Sequence, residues 1–308
     1  MSRAIRTVTV IGTGVIGASW CALYLARGLD VVATDVAPGA EEKLHQFVDE
    51  AWPVLERLGL AAGASRDRLR FEPDLEAAIA DADFIQENGP ERLPFKQDLF
   101  ARLDAALPPE VIIATSSSGL KMSDVQQSCS NHPERCVVAH PFNPPHLIPL
   151  VELVGGKLTS EETIDRAAAF YRGLGKKTIR LRKELPGHVA NRLQAALIRE
   201  VVHLVSEGVV SVTDADTAVC YGPGLRWGVM GPTLLFHLGG GSGGIEHFFD
   251  QFTGPLTNWF HDLGTPELTP EVCQKMIAGV HEEVSGQGFG ELAAERDEML
   301  IGLLKLRA

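Results

Sequence analysis

The chain has 308 residues, with 28 Lys and Arg against 40 Asp and Glu and a formal charge of −12. At about 150 residues per domain this length predicts two domains, each long enough to bury a core. Hydrophobic residues at 45% and charged residues at 22% exclude a disordered chain, and no apolar run is long enough to span a membrane. Net acidity gives nucleic acid no electrostatic reason to bind.

The N-terminal Met-Ser-Arg-Ala-Ile-Arg leads straight into apolar Thr7–Ile11, with no leader-like apolar region before it. Five cysteines (Cys21, Cys129, Cys136, Cys220 and Cys273) are scattered and form no Cys-x-x-Cys pair. A soluble, cytoplasmic protein with reduced thiols is therefore expected. Cys129, His132 and Cys136 supply three local ligands where structural zinc takes four, so no metal is expected.

In chain order, β-branched runs at residues 7–11, 31–34, 84–86, 111–114, 137–139 and 178–181 alternate with stretches of helical spacing. That alternation predicts an α/β domain built on a mostly parallel sheet with helices on both faces. Between Glu41 and Leu58 the apolar positions keep one helical face, which Pro53 is expected to kink or divide. After Glu184 the strands stop. Pro186 stands where a first helical turn would begin, and Val189, Leu193, Leu197, Val201, Leu204 and Val205 trace an apolar stripe. Thr269-Pro270 reads as an N-cap and first position of another helix. The expected division is a sheet domain over residues 1–184 and an all-helical domain over 185–308.

The strongest local signal is Gly12-Thr-Gly14-Val-Ile-Gly17, which follows the first strand and opens a helix. Gly12 serves the tight turn, Gly14 the approach of backbone to a pyrophosphate, and Gly17 close packing of helix on strand. This is the fingerprint of a Rossmann-type dinucleotide site. Asp35 ends the second strand 23 residues past Gly12, where a carboxylate accepts hydrogen bonds from ribose hydroxyls and repels a 2′-phosphate. No Arg or Lys lies between Val36 and Glu42, so NAD is expected rather than NADP. FAD shares the fingerprint, but nothing else in the chain points to a flavin. A second glycine cluster, Gly239 to Gly244, lacks Gly-Lys-Ser/Thr and reads as a connection between helices.

The run from Val137 to Glu152 holds His140, Asn143 and Glu152 between two apolar strands. An imidazole titrates near neutrality and can take the proton of a substrate hydroxyl as hydride leaves the same carbon. A carboxylate on its other nitrogen would fix the tautomer. Spacing alone leaves open that this histidine and this acid never meet.

The sequence resembles the L-3-hydroxyacyl-CoA dehydrogenase family, in which His-x-x-Asn-Pro is followed by a glutamate twelve residues after the histidine, as in His140 to Glu152. Further resemblance lies in the glycine fingerprint, Glu91-Arg-Leu-Pro-Phe-Lys96, Ser116-Ser-Ser118-Gly-Leu and Pro186-Gly-His-Val-Ala-Asn191-Arg-Leu. The resemblance implies that His140 is the general base and Glu152 its orienting partner. Ser118 and Asn191 would hydrogen-bond the reacting oxygen, and Asn143 would support the loop. Glu91 and Lys96 would contact the nicotinamide half of NAD, and Ser116 would replace an asparagine that faces the cofactor. A homodimer joined through the helical domain is also implied.

Within the family, the phrases around Gln86-Glu-Asn-Gly-Pro, Gly224-Leu-Arg226-Trp227 and Gly243-Gly-Ile-Glu-His247 resemble the branch that acts without coenzyme A, on carnitine or L-gulonate. A carnitine-like 3-hydroxy acid is the favoured substrate, with gulonate-like acids and short 3-hydroxyacyl thioesters as alternatives. A catalytically idle protein, crystallin-like or NAD-sensing, is the non-enzyme alternative. A quaternary ammonium is held by aromatic faces, and Trp227, Phe248, Phe249, Phe252, Trp259 and Phe260 are candidates. Arg226 would pair with a substrate carboxylate or else form a structural salt bridge.

Overall fold

The computed structural model describes residues 4–307. Its first half alternates strand and helix: β1 (Thr7–Ile11), α1 (Val15–Ala26), β2 (Asp30–Thr34), α2 (Ala40–Leu58), β3 (Leu69–Phe71), α3 (Leu75–Ile79) and β4 (Phe84–Glu87). There follow α4 (Leu93–Ala106), β5 (Ile112–Thr115), α5 (Met122–Val125), β6 (Cys136–Pro141), β7 (Leu150–Gly155), α6 (Glu161–Gly173) and β8 (Lys177–Arg180). The eight strands form one sheet in the order β3-β2-β1-β4-β5-β6-β7-β8. Every neighbouring pair is parallel except β6 and β7, which are antiparallel. The order reverses at β1, and in such sheets ligands bind outside the carboxyl ends of the strands at that switch point.

Parallel strands covered on both faces read as continuous apolar runs. Val8, Val10, Phe84, Ile85, Ile112 and Ile113 accordingly lie in the core. One face packs Trp20, Tyr24, Leu44 and Tyr171, the other Phe100, Leu103, Met122 and Val138. Each fully buried side chain of this size contributes about 1.5–3 kcal/mol.

Two local expectations are corrected. Helix α2 runs unbroken through Pro53, which lies on the exposed face where water can satisfy the carbonyl left without a partner. Strand β3 was not expected. Leu69-Arg-Phe is only three residues long, pairs on one side with β2 and exposes Arg70.

The chain divides into two compact units: one from the N-terminus to Ala190 together with residues from Met299 onward, the other Asn191–Glu298. The division expected at residue 185 differs by the short segment 185–190, which is bonded to the sheet unit as described below, and by the last turns of the C-terminal helix. The remaining helices are α7 (Ala190–Ser206), α8 (Val212–Tyr221), α9 (Pro223–Trp227), α10 (Pro232–Gly239), α11 (Gly244–Asp262), α12 (Pro270–Val284) and α13 (Phe289–Arg307). Helix α7 begins four residues after Pro186, because Gly187 and His188 adopt left-handed backbone with φ of 74° and 51°. Thr269 caps α12 by accepting the N–H of Val272, and Pro270 takes its first position. The glycines from 239 to 244 form a tight turn joining α10 to α11. Val201, Val205, Val212 and Ala215 make a small core within the second unit.

Among the described residues no helix is long and apolar enough to cross a membrane. Cys129 and Cys136 are buried thiols 3.8 Å apart, while His132 is engaged by Glu134.

Candidate active site

The glycine loop leaves β1 at Gly12, whose φ is 83° and whose N–H donates to the Thr34 carbonyl at 2.8 Å. A Cβ at Gly12 would stand 2.9 Å from the Asn88 carbonyl, and one at Gly17 only 1.8 Å from the Gly12 oxygen. Both positions are therefore closed to any side chain. Gly14, at the N-terminus of α1, has nothing within 4 Å of where its Cβ would be. That open ground at a helix N-terminus is what a pyrophosphate requires, so the residues present fit a dinucleotide.

Asp35 follows β2 directly. Its Oδ2 accepts the N–H of Thr13 at 2.6 Å and the Thr13 hydroxyl at 3.1 Å, and its Oδ1 accepts the N–H of Ala37 at 2.9 Å. A surface cavity of about 510 Å³ borders Asp35, Val36, Ala37, Phe71 and Pro73.

At the ends of β4 and β5 lies a polar cluster. Lys96 is 1% exposed and holds both carboxylate oxygens of buried Glu87, at 2.7 and 2.9 Å. Thr115 donates to the same carboxylate at 2.5 Å. The resemblance implied a cofactor contact for Lys96; here its ammonium is engaged by Glu87 and also approaches the Gly89 carbonyl and Glu91. Glu91 is exposed and accepts from the Ser117 hydroxyl and from the N–H groups of Gly119 and Leu120. Partial burial raises its carboxyl, yet these bonds outweigh burial and hold it below the ordinary carboxylate value.

Ser116 was expected to face the cofactor. Its hydroxyl instead accepts from Trp20 Nε1 and Gln86 Nε2 and donates to Asn88 Oδ1, which exhausts its hydrogen-bonding capacity. It is a hub: Tyr24 and Tyr171 both donate to the other end of Gln86. Ser118, two residues on, is exposed and makes no hydrogen bond among the described residues.

His140 and Glu152 are register partners across the antiparallel pair β6–β7, and His140 Nδ1 lies 2.9 Å from Glu152 Oε2. Both are buried, at 5% and 0% exposure. Glu152 Oε1 accepts the N–H groups of Val189 and Ala190 at 2.9 and 3.0 Å. Burial raises its carboxyl, but the bonds from His140, Ala190 and Val189 prevail and keep it ionised below the usual range. A carboxylate only accepts, so Nδ1 of His140 carries a hydrogen, and in the neutral ring Nε2 is the nitrogen that presents the lone pair. The arrangement can accept a proton at Nε2 and stabilise the imidazolium that results. Asn143, exposed beyond β6, precedes a cis peptide to Pro144. Lys176 binds the carbonyls of Pro145 and Ile148 in the same loop, and burial draws its ammonium down to about 7.

The second unit carries the other candidates. Asn191 lies in the first turn of α7, its side chain in no hydrogen bond among the described residues. Arg226 and Trp227 are exposed on α9, and Arg226 forms no ion pair among the described residues. Phe248 is buried and stacks on Phe236 and Phe252, with Phe249 edge-on. Phe236 was not singled out from sequence, because it lies on a different helix, 12 residues before its partner.

Residues 7–185 match the NAD-binding domain of 3-hydroxyacyl-CoA dehydrogenase, and residues 187–291 match its C-terminal domain. The L-carnitine dehydrogenase of Streptomyces coelicolor is 50% identical over 98% of this chain and 94% of its own length. That of Bacillus cereus is 48% identical over 99% of this chain and 93% of its own. Among solved structures, the NAD-dependent dismutase 5-formyl-3-hydroxy-2-methylpyridine 4-carboxylic acid 5-dehydrogenase superposes with a TM-score of 0.84. It shares 31% identity and covers 98% of both chains. A loop shaped for a dinucleotide, a buried histidine–carboxylate pair and these matches over nearly the whole length converge: the chain belongs to the 3-hydroxyacyl-CoA dehydrogenase family and is an NAD-dependent oxidoreductase acting on a CH–OH donor.

Proposed function

We propose that the chain oxidises the 3-hydroxyl of a small 3-hydroxy acid free of coenzyme A, with L-carnitine the substrate, and that His140 is its general base. The observation that carries the base assignment is the His140–Glu152 rung, which leaves Nε2 as a lone pair on a buried, oriented imidazole. Nε2 takes the hydroxyl proton, and Glu152 stabilises the charge that develops on the ring. NAD, when bound, accepts the hydride that leaves the same carbon. Ser118 and Asn191 donate hydrogen bonds to the oxygen as it becomes a carbonyl. Gly12, Gly14 and Gly17 would hold the pyrophosphate of NAD, and Asp35 would accept hydrogen bonds from its adenosine ribose.

The carnitine assignment is supported by relatives of that name at 48% and 50% identity. Arg226, without an ionic partner among the described residues, suits a substrate carboxylate. Exposed faces of Trp227, Phe249 and Phe252 suit a trimethylammonium group, which offers no hydrogen-bond donor. The same reading makes the protein a cytoplasmic homodimer joined through its helical unit. Trp259, Phe260 and Phe289 leave much apolar area in that unit to be covered.

The test is NADH formation with L-carnitine, L-gulonate and 3-hydroxybutyrate, the last as free acid and as coenzyme A ester. The highest kcat/KM is expected with L-carnitine. A higher value with the ester or with gulonate overturns the substrate assignment.

A further inference from the structure

A second imidazole stands beside the first. His188 has a left-handed backbone, φ 51°, which a residue with a Cβ adopts only at a cost that its surroundings must offset. Three successive residues supply that compensation. Nε2 of His188 lies 3.0 Å from the Ser117 carbonyl, and the N–H groups of Val189 and Ala190 both reach Glu152. The His188 ring is 2% exposed, and its centroid is 5.1 Å from that of His140.

These contacts fix the protonation state of His188 by geometry. A carbonyl only accepts, so Nε2 is the nitrogen that bears hydrogen. Nδ1 is enclosed and has no hydrogen-bond partner among the described residues. A proton there would bury both an unsatisfied donor and a charge. Burial and the ring of His140 push the His188 imidazole below its ordinary value, against the pull of the Ser117 carbonyl, Glu152 and Glu91. The side chain is thus a neutral wedge with two fixed edges. One edge rests on the ring of His140, and the other is tied to the peptide that leads into Ser118.

We propose that His188 is a positioning residue: by donating Nε2–H to the Ser117 carbonyl while packing on His140, it sets the separation between the Ser118 hydroxyl and the base. This rests on the roles proposed above for His140 and Ser118. An apolar ring of similar volume would keep the packing and lose the tie. The Ser116–Ser118 turn would then keep its anchors at the Ser116 hydroxyl and at Glu91 but lose the one on the Ser117 carbonyl, next to Ser118.

The experiment is steady-state kinetics of the full-length enzyme with NAD and L-carnitine, or the acid of the panel that is turned over, for His188→Phe, His188→Gln, Ser118→Ala and the double variant Ser118→Ala/His188→Phe. A misplacement of about 1 Å near the chemistry costs up to about 10²-fold, so His188→Phe is expected to lower kcat by about 10- to 100-fold while leaving NAD affinity unchanged. His188→Gln, whose amide nitrogen reaches the position of Nε2, restores most of the loss. In the Ser118→Ala background, His188→Phe has no further effect, because the group it positions is gone. Unchanged kcat in His188→Phe, a Gln variant no better than Phe, or losses that multiply in the double variant would overturn the proposal. A Ser118→Ala enzyme with full kcat identifies a different failure, that of the Ser118 reading, and the proposal falls with it. Thermal unfolding checks each variant. Should Phe not fold, His188→Asn replaces it, since asparagine tolerates left-handed backbone and its shorter amide cannot reach Ser117. Slow Asn and fast Gln are then the supporting result, and equal rates the contrary one.

Discussion

Asp35 closes the glycine loop on itself: one carboxylate oxygen binds both the amide and the hydroxyl of Thr13. A ribose that binds Asp35 would therefore meet a carboxylate already oriented by the glycine loop. Asp35→Ala is expected to weaken NAD by about 10- to 100-fold, the worth of hydrogen bonds to a charged group, and to narrow the preference over NADP. Cofactor titration by fluorescence checks both. Unchanged preference would contradict the ribose assignment.

Removing the base should cost about 10²- to 10⁴-fold in kcat, so His140→Ala serves as the first measure of the mechanism. Glu152→Gln is the sharper probe. Its amide nitrogen can donate to Nδ1 and turn the imidazole to the tautomer that carries hydrogen on Nε2, so kcat should fall by at least about 10²-fold while the fold is retained. A Gln variant with full turnover would contradict the role given to Glu152 in fixing the tautomer.

Lys96 and Glu87 form an ion pair with 1% and 0% of their side chains exposed. Breaking a buried pair from one side leaves an uncompensated charge, at about 3–5 kcal/mol. Lys96→Met is expected to lose that much stability in denaturant unfolding, and Lys96→Met/Glu87→Gln to recover a large part of it. Loss of NAD affinity without loss of stability would instead favour a direct cofactor contact.

The lowered value of His188 has a consequence for stability below neutrality. In the unfolded chain this imidazole binds its proton at about 6.5, whereas the folded protein binds it only at lower pH. The unfolded state thus holds more protons in that window, and stability rises with pH across it and is lost as pH falls from about 6.5. His188→Gln should flatten this part of the curve. Glu152 acts in a separate window, its stabilising contribution being present above about 4.3 and lost as pH falls through the lower folded value. Urea unfolding at a series of pH values separates the two. Parallel curves for wild type and His188→Gln would remove the assignment to His188.

The sheet was legible because parallel strands covered on both faces leave continuous β-branched runs, as at Ile112–Thr115. The edge strand Leu69–Phe71 was not, being short and half polar. Pro186 misled because it carries the local mark of a helix start, while the obstacle is the left-handed pair Gly187 and His188, imposed by bonds to distant Ser117 and Glu152. The engagement of Ser116 and Lys96 was equally hidden. Trp20 is 96 residues from Ser116, and no local pattern announces that these side chains are already taken. His140 and Glu152 stood out in the run between two apolar strands, and resemblance implied that they pair; spacing alone could not show it, because their contact depends on the antiparallel direction of β7.

That direction also explains the spacing of the pair. In β6–β7 the rung before His140–Glu152 joins Ala139 to Leu153, and the rung after it joins Pro141 to Val151. Chemistry requires the rung, whereas the number of residues between its ends is decided by the connection from Phe142 to Pro149. One residue added to that connection would leave base and carboxylate face to face but shift them one step apart in the sequence. One residue added inside either strand would keep the motif readable nearby and turn a partner to the wrong side of the sheet. A search for related enzymes is thus better served by the pairing of two strands than by a fixed interval between histidine and glutamate.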